Sequence, residues 1–398
     1  MSKRILAICF IYACTAVAWI ALSGTMLVRT ETQDSRLKTA VGRLWGTEQA
    51  QQAPRIYYDD KNKKAYQALE ASDIEVALKL EHRKKGLLWY STYKVGFSGK
   101  YQIKNNSNDT QEIFVDFRFP TRAAIYDNFH FIVGEQEVRE IKLNQDRITE
   151  SFKLAPGQVE NIQISYESQG LNNWAYDFGS NVNQIKNFSL ILTTDFEAID
   201  FPVDSISPTH KQRTGDGWEL TWQYSSLLTG VKIGMIMPRK LNPGPWVSRV
   251  TTAAPVSLFL FFFLLFVFTT VKKIKIHPMN YFFVGAAFFS FHLLLAYLID
   301  HISIHLAFWI CSLVSVFLVV SYMRLVVGRR FAFIEVALSQ LIYLVFFSYT
   351  FFFKGYTGLA ITILCICTLF IVMQFTGRVD WDKVFAKAEV TADSKGSE

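Results

Sequence analysis

Residues 252–271 read TAAPVSLFLFFFLLFVFTTV, a stretch of 20 residues without a charged side chain. A helix of about 20 apolar residues is long enough to cross the hydrocarbon core of a membrane. The stretch therefore predicts a membrane-spanning helix. Five further apolar runs of similar length occur in the chain, at residues 5–28, 281–299, 306–323, 331–353 and 357–376.

The composition agrees with a membrane protein. The 398 residues are 51% hydrophobic, they include 35 Phe, and the mean hydropathy is +0.18, which exceeds what a soluble protein usually carries. We predict an α-helical membrane protein with six spans. The run 5–28 is longer than the core of a signal peptide, about 7–15 residues, so we interpret it as a retained anchor. Cleavage after the small residues around Ser23 is the alternative.

The basic residues predict the orientation. Thirteen of the 41 Lys and Arg lie outside residues 29–250, and all but Lys354 fall before the first span, between spans that six crossings place on one side, or after the last span. The positive-inside rule assigns that side to the cytoplasm. Both termini are then cytoplasmic. The predicted division is an anchor over 1–28, a domain on the outer face over 29–250, five membrane helices over 251–377 and a cytoplasmic tail over 378–398.

The net charge of +7 does not indicate nucleic-acid binding. By count, residues 29–250 carry 28 basic and 27 acidic side chains, so the excess belongs to the membrane half. A topological signal accounts for it, and we predict no nucleic-acid partner. All five cysteines lie in predicted spans. This placement predicts no disulfide in the outer domain, and it favours helix packing over redox chemistry for Cys365 and Cys367.

The outer domain alternates apolar and polar residues with a period of two. Segments such as QEIFVDFRF (111–119) and QVENIQISYE (158–167) put apolar residues on one face, and turn-forming clusters such as NNSND separate them. Roughly ten short strands predict a large, mostly-β domain, an antiparallel sandwich between spans one and two. Residues 31–52 could extend the first membrane helix outward, and 63–71 resemble a short helix.

The outer domain carries no recognisable catalytic motif, neither G-x-S-x-G, nor a P-loop, nor H-E-x-x-H. His82, His130 and His210 are isolated in sequence. We therefore predict a binding or scaffolding module that is not an enzyme and uses no metal or other cofactor. Clustering of any one of these histidines with acidic residues in a cleft would favour an enzyme instead.

The segment DHISIH (300–305) raises three possibilities, namely a metal site, a proton relay or a polar elbow between membrane helices. His301 and His305 have the spacing of helical zinc ligands. However, the flanking spans end near Ile299 and begin near Leu306, so a turn must break the helix. We predict an elbow in which Asp300 and His301 satisfy the exposed helix ends, and which contacts the base of the outer domain.

Two ionisable residues lie inside predicted spans, where a charge is costly. For His292 we predict a neutral imidazole hydrogen-bonded to a neighbouring helix, with a proton relay as the alternative. For Glu335 we predict a position at the cytoplasmic interface or an ion pair with a nearby arginine. A transporter or channel is the rival function, although paired acidic residues at mid-membrane are missing from the sequence.

Several motifs resemble the CreD family of bacterial inner-membrane proteins. The match is strongest in IKIHPMNYFFVG (274–285), which contains His277 and Pro278, in DHISIHLAFW (300–309) and in GRVDWDKVF (377–385). Before the β strands, Arg36, Trp45-Gly46, Gln49 and Pro54 hold similar places, and LEHRKKGLLWYSTY (80–93) is also similar. His292 stands where a non-ionisable residue is expected.

The resemblance implies a bacterial inner-membrane protein associated with cell-envelope integrity or envelope stress, with no enzyme activity to carry over. His277, Pro278, Asp300, His301 and His305 become candidate structural or interface residues. The implied partners are the lipid bilayer and an envelope protein on the outer face. The oligomeric state is left open.

Overall fold

The computed structural model of the chain describes residues 2–377 apart from 61–62, 86–87, 140–142, 145, 180–182 and 354. The predicted tail 378–398 and Lys354 lie outside the described residues. The chain divides into two compact units. One is formed by the first 33 residues together with those from 242 onward, and the other by residues 34–241.

Six helices are long and apolar enough to cross a membrane. This confirms the prediction of six spans. The first helix continues well past Val28 and ends at Trp45, where Gly46 adopts a φ of +90° that suits glycine and stops the helix. The helices are α1 (Ser2–Trp45), α2 (Pro243–Val271), α3 (Pro278–Leu298), α4 (Ile304–Val327), α5 (Arg329–Phe352) and α6 (Thr357–Thr376).

Helix α5 is not a regular α-helix. It contains two π-helical stretches, Ala332–Val336 and Leu341–Phe346, and closes with a 3-10 turn over Thr350–Phe352. A π-helical turn takes up an extra residue and shifts the side chains that follow it around the helix axis. The apolar run of 331–353 predicts the length of this span and gives no sign of its irregular turns.

The outer domain contains sixteen strands among its described residues, which confirms a large mostly-β domain with more strands than the ten expected. Some are long, such as the 17 residues of β5. The strands are β1 (Gln49–Gln52), β2 (Arg55–Asp60), β3 (Lys63–Gln67), β4 (Ala71–Lys85), β5 (Leu88–Lys104), β6 (Gln111–Arg118), β7 (Tyr126–Val133), β8 (Gln136–Glu137), β9 (Leu143–Asn144), β10 (Arg147–Leu154), β11 (Val159–Leu171), β12 (Asn173–Asp177), β13 (Asn183–Thr194), β14 (His210–Thr214), β15 (Gly217–Thr229) and β16 (Ile233–Ile236).

The predicted short helix over 63–71 is wrong. Residues Lys63–Gln67 form strand β3, which pairs antiparallel with β2 and places Lys64 opposite Asp59 and Tyr66 opposite Tyr57. Opposite charges and aromatic rings that face each other across strands stabilise a hairpin. These cross-strand partners, which helix propensity does not consider, decide the conformation of the segment.

The strands form three sheets. An eight-stranded sheet has the order β14-β15-β13-β4-β5-β11-β7-β8, a five-stranded sheet has the order β3-β2-β6-β10-β9, and a three-stranded sheet has the order β1-β12-β16. Two pairs, β4 with β13 and β1 with β12, are parallel. These two parallel pairs depart from the predicted antiparallel sandwich, because alternation along a strand does not show the direction of its neighbour.

The core of the outer domain follows from the period-two pattern. On β4, Ile74, Val76 and Leu78 are buried, while Asp73 and Glu75 are exposed. Burial of each such aliphatic side chain contributes about 1.5–3 kcal/mol. The opposite face of the sheet is left polar, and this accounts for the alternation visible in the sequence.

Candidate functional site

The elbow between α3 and α4 is a turn, as predicted, but its side chains act differently. The main-chain N–H groups of Asp300 and His301 donate to the carbonyls of Tyr297 and Leu298, at 3.2 and 3.0 Å, and close the end of α3. The N-cap of α4 is Ser303, whose side chain accepts from the Leu306 N–H. The side chains of Asp300 and His301 thus play no part in capping.

The Asp300 carboxylate forms an ion pair with Arg29 of α1. The Asp300 side chain is 16% exposed and that of Arg29 is 34% exposed, so the pair is sheltered more than an ordinary surface salt bridge. It fixes α1 to the elbow between α3 and α4. Arg29 directly follows the first apolar run, but nothing in the sequence links it to a residue 271 positions away.

His301 and His305 are not presented as a pair on one helix face. His301 lies in the turn before α4, and His305 lies in the first turn of that helix, where its ring stacks on Phe352 of α5 with centroids 4.7 Å apart. Among the described residues, no three His, Cys, Asp or Glu side chains are grouped so as to hold a metal ion. The geometry of His305 is that of a packing residue between two helices.

His277 and Pro278 form the start of α3. The His277 ring accepts a hydrogen bond at Nδ1 from the Met279 N–H, at 3.2 Å, and Pro278 occupies the first turn, where its missing N–H costs nothing. The His-Pro pair of the sequence therefore acts as a helix cap. Next to it, Asn280 accepts from the Tyr322 hydroxyl of α4, at 2.7 Å.

His292 is buried at the contact between α1 and α3, with 1% of its surface exposed. Its ring packs edge-on against Trp19 of α1, with centroids 5.6 Å apart, and against Phe291, and it stacks on Phe288. Neither ring nitrogen makes a hydrogen bond of normal geometry to the described part of the chain, and the same holds for the Trp19 indole N–H. The predicted hydrogen bond to a neighbouring helix is therefore wrong, because the neighbours that face His292 are aromatic.

Glu335 lies in the first π-helical stretch of α5 and forms an ion pair with Lys272, at the end of α2. The Glu335 side chain is 17% exposed and that of Lys272 is 49% exposed. Of the two predicted alternatives for Glu335, pairing with a nearby arginine is wrong, and a position at the cytoplasmic interface stays a prediction. The arginines are close in sequence, whereas the fold brings the connection after α2 to the face of α5 that carries Glu335.

Comparison with known protein families gives a match to the membrane half of the chain. The family model described as Inner membrane protein CreD matches residues 245–382, the part of the chain that holds the His-Pro cap, the elbow and both intramembrane ionisable residues. This part of the chain, about a third of its length, is similar to the CreD family. This confirms the resemblance drawn from the sequence motifs and identifies an inner-membrane protein family. None of the curated proteins matches the chain.

Solved structures give weaker likenesses. A protein described as a "putative nutrient binding protein" from Legionella pneumophila is 11% identical with a TM-score of 0.31, over 53% of this chain and 75% of its own. An M1 zinc metallopeptidase from Deinococcus radiodurans is 11% identical with a TM-score of 0.24, over 42% of each chain. The CreD-like chain thus spans less than half of that peptidase. TM-scores this low do not bear on function.

A buried polar seam joins three helices of the CreD-like domain. The Gln340 amide of α5 donates to the Ser315 hydroxyl of α4 at 3.0 Å, and Ser315 donates to the Ala287 carbonyl of α3 at 2.8 Å. The Gln340 Oε1 atom has no partner in the described residues. The Gln340 amide N–H therefore acts as an interhelical hydrogen-bond donor, while its carbonyl oxygen stays buried.

The outer-domain histidines lie on separate strands, β4, β7 and β14. His82 lies 3.0 Å from the Pro238 carbonyl, and His130 lies 2.6 Å from the Glu137 carboxylate. Strand β4 and strand β7 are three strand spacings apart, about 14 Å. Burial and the neighbouring Lys240 lower the pKa of His82, although its bond to Pro238 acts in the opposite direction. The described structure does not bring the three histidines into one cleft, but His130 lines a cleft together with Glu75, Glu167 and Glu219. That is the clustering with acidic residues which would favour an enzyme, although no metal-binding group is found among the described residues.

Proposed function

We propose that the chain is a non-enzymatic inner-membrane protein that supports the integrity of the cell envelope, and that its outer β domain is a binding or scaffolding module. The observation that carries this proposal is the match of residues 245–382 to the CreD family. The six apolar helices, with a β domain inserted between the first and the second, agree with a protein that has one part in the membrane and another outside it.

The contacts within the membrane unit favour a scaffold held in one arrangement. Two ion pairs, Arg29 with Asp300 and Lys272 with Glu335, join segments that are distant in sequence. Hydroxyl groups join further helices, such as Ser23 of α1 with Thr252 of α2 at 2.6 Å. Interhelical hydrogen bonds of this kind contribute about 0.6–2 kcal/mol each.

The proposal is tested by the permeability of a strain that lacks the protein. The strain is complemented with the full chain or with residues 1–250, which retain the first helix and the outer domain. We expect raised sensitivity to detergent and raised dye uptake in the deletion strain, and repair by the full chain only. A deletion strain with the permeability of its parent would overturn the proposal. Full repair by residues 1–250 would show that the five membrane helices after residue 250 are not needed for this function.

A transporter or channel is the second candidate. One observation favours it: α5 is irregular, and the Gln340 Oε1 atom and both His292 ring nitrogens are buried without hydrogen-bond partners among the described residues. Interrupted helices and unpartnered intramembrane polar groups are found at transport sites. A membrane-potential assay on the full chain in vesicles, comparing the unchanged protein with His292→Phe, tests this. Solute-dependent or proton-dependent flux that His292→Phe abolishes would establish transport, and its absence would exclude a role of His292 in proton flux.

A further inference from the structure

The outer domain contains a cavity of about 600 Å³ between the 119–125 loop and the start of β10. Its walls are mostly apolar, with Phe119, Tyr126, Phe129 and Ile148 among them, and Arg122 and Asp146 form its charged part. Cavities of roughly 300–1,000 Å³ with mainly aromatic walls and a few polar groups are the usual form of small-molecule sites. The cavity therefore has the size and composition of a ligand site.

The aromatic wall is held in place. The ring centroid of Phe119 lies 4.4 Å from that of Tyr126 and 5.3 Å from that of Phe129. The Tyr126 hydroxyl donates to the Thr121 carbonyl at 2.7 Å and accepts from the Thr121 N–H at 3.0 Å. Since two hydrogen bonds fix Tyr126 and the rings pack on one another, the wall is preorganised for a planar or ring-shaped ligand.

The charged part is built around a buried carboxylate. The Asp146 side chain is only 4% exposed, and its Oδ2 accepts from the Arg118 Nε at 2.9 Å and lies 3.3 Å from the Arg122 Nε. Burial alone would raise the pKa of Asp146, but the two guanidinium groups lower it below its usual value. Its Oδ1 has no hydrogen-bond partner among the described residues. A buried charged acceptor without a donor is unfavourable, and Asp146 is among the residues that line the cavity.

We propose that this cavity binds a saccharide. The rings offer a platform for the apolar C–H face of a sugar, a hydroxyl group supplies a donor to Asp146, and the guanidinium of Arg122 donates to sugar oxygens. A neutral hydroxyl donor suits Asp146 because two arginines already balance its charge. An apolar amphiphile would leave the carboxylate without a donor. The inference rests on the proposed function, because it gives a ligand class to the outer binding module.

Binding is measured with the full chain in lipid nanodiscs free of glycoside detergent, since sugar-headed detergents would compete. The probes are maltotetraose and chitotetraose, and saturation-transfer NMR and calorimetry report binding. We expect binding of at least one of them, with saturation transfer strongest at the ring C–H protons. If neither probe binds above empty nanodiscs, or if the apolar anion 1-anilinonaphthalene-8-sulfonate alone binds in the cavity, the proposal is wrong.

Two variants locate the site, each with a matched control. Asp146→Asn should weaken binding about tenfold or more, whereas Asp116→Asn should change it less than twofold, because Asp116 also pairs with an arginine, Arg147, but lies outside the cavity. Phe129→Ala should weaken binding, whereas Phe114→Ala, which removes a ring stacked on Tyr57 elsewhere on the domain, should not. Equal affinity in Asp146→Asn and Phe129→Ala would place any saccharide elsewhere.

The permeability assay separates this inference from the envelope function. If Asp146→Asn abolishes saccharide binding by the protein while the strain that carries it still excludes dye normally, the site is confirmed. Saccharide binding is then not required for the envelope role. A deletion strain that leaks, together with a purified chain that binds neither probe, would leave the envelope role intact and refute the saccharide site.

Discussion

Asp300 and Glu335 are the two acidic residues of the sequence between 251 and 377, and each is paired with a cation from another segment. An unpaired charge that is largely shielded from water is costly, whereas a partner recovers part of that cost. Because Asp300 follows α3 and Glu335 lies near the start of α5, the two pairs hold different helix connections. Each carboxylate therefore acts as a fastening between distant segments.

The ion pair between Lys272 and Glu335 can be tested by removing one charge and then by exchanging the two charges. Glu335→Gln should lower the stability of the full chain by about 1 kcal/mol, between the values for exposed and buried pairs, because Lys272 is half exposed and can regain water. The double variant Lys272→Glu with Glu335→Lys should recover part of the loss. Thermal unfolding in nanodiscs measures both. A double variant no more stable than Glu335→Gln would show that the pair does not stabilise the domain.

The lowered pKa of Asp146 predicts that the stability of the folded protein decreases in acid. Its folded-state pKa is lowered, so its stabilising contribution is present above the pKa of the unfolded chain, about 4, and is lost as the pH falls through the folded-state pKa. Asp146→Asn should therefore be less stable than the unchanged protein at pH 7, and this difference should shrink below about pH 4. Unfolding midpoints at several pH values check this. A difference that stays constant down to the lowest pH would mean that Asp146 does not contribute through its charge.

For individual residues, the sequence indicates which ones are unusual but not which residues they contact. Asp300, His292 and Glu335 stand out because ionisable groups are rare within or beside apolar runs. Their neighbours Arg29, Trp19 and Lys272 are between 63 and 273 positions away in the chain. Asp146 attracts no notice in the sequence, since only the fold shows that its carboxylate is buried beside aromatic rings.

Helix α1 packs against α2 through small residues. Ser23 is buried and lies 3.1 Å from the Ser248 hydroxyl, and Gly244 faces Thr30 so closely that a Cβ atom there would overlap the Thr30 side chain. Small residues let helix backbones approach in a membrane, where packing rather than hydrophobicity joins helices. Gly24, one residue from Ser23, faces open space. The two glycines therefore form a natural comparison.

Gly244→Leu should loosen α1 from α2 and lower the stability of the chain by about 1–3 kcal/mol, the usual cost of an overpacked contact. Gly24→Leu should be neutral or slightly stabilising, since leucine favours a helix by up to about 1 kcal/mol over glycine. Thermal unfolding in nanodiscs, with protease sensitivity of the connection after α1, compares them. Equal effects of the two substitutions would contradict the packing of α1 on α2.

Helices and strands were predictable from the sequence where one pattern of apolar residues dominates. Long apolar runs predict the six helices, because the bilayer requires a fixed length of apolar chain. Alternation predicts the strands, because one face of each sheet is buried. Strand β3 was not predictable, because cross-strand pairing with β2 overrides the local pattern. The π-helical turns of α5 were not predictable either, because nothing in its apolar run marks them.

The whole chain combines a β unit of residues 34–241 with a helical unit formed by the rest. The sequence divides it at 29 and 250, where polarity changes. The compact units instead divide at 34 and 242, because α1 continues beyond the apolar run and α2 begins before it. Hydropathy therefore misplaces the domain boundaries, because it does not recognise the polar ends of membrane helices as helical.

The positive-inside pattern predicts the orientation. With the native cysteines replaced by serine, a cysteine at the fully exposed Val203 of the β unit should react with an impermeant maleimide added to intact cells. A cysteine at the exposed Lys275, between α2 and α3, should react only after the cells are opened. The reverse pattern would place the β unit in the cytoplasm and overturn the proposal of an outer binding module.

The rate of dye uptake by the deletion strain tests the envelope role most directly. We expect a rate at least about twofold above that of the parent, which exceeds day-to-day variation. The rate should return to the parental value when the full chain, with residues 245–382 intact, is supplied. A deletion strain that takes up dye at the parental rate, under both ordinary growth and detergent stress, would contradict it.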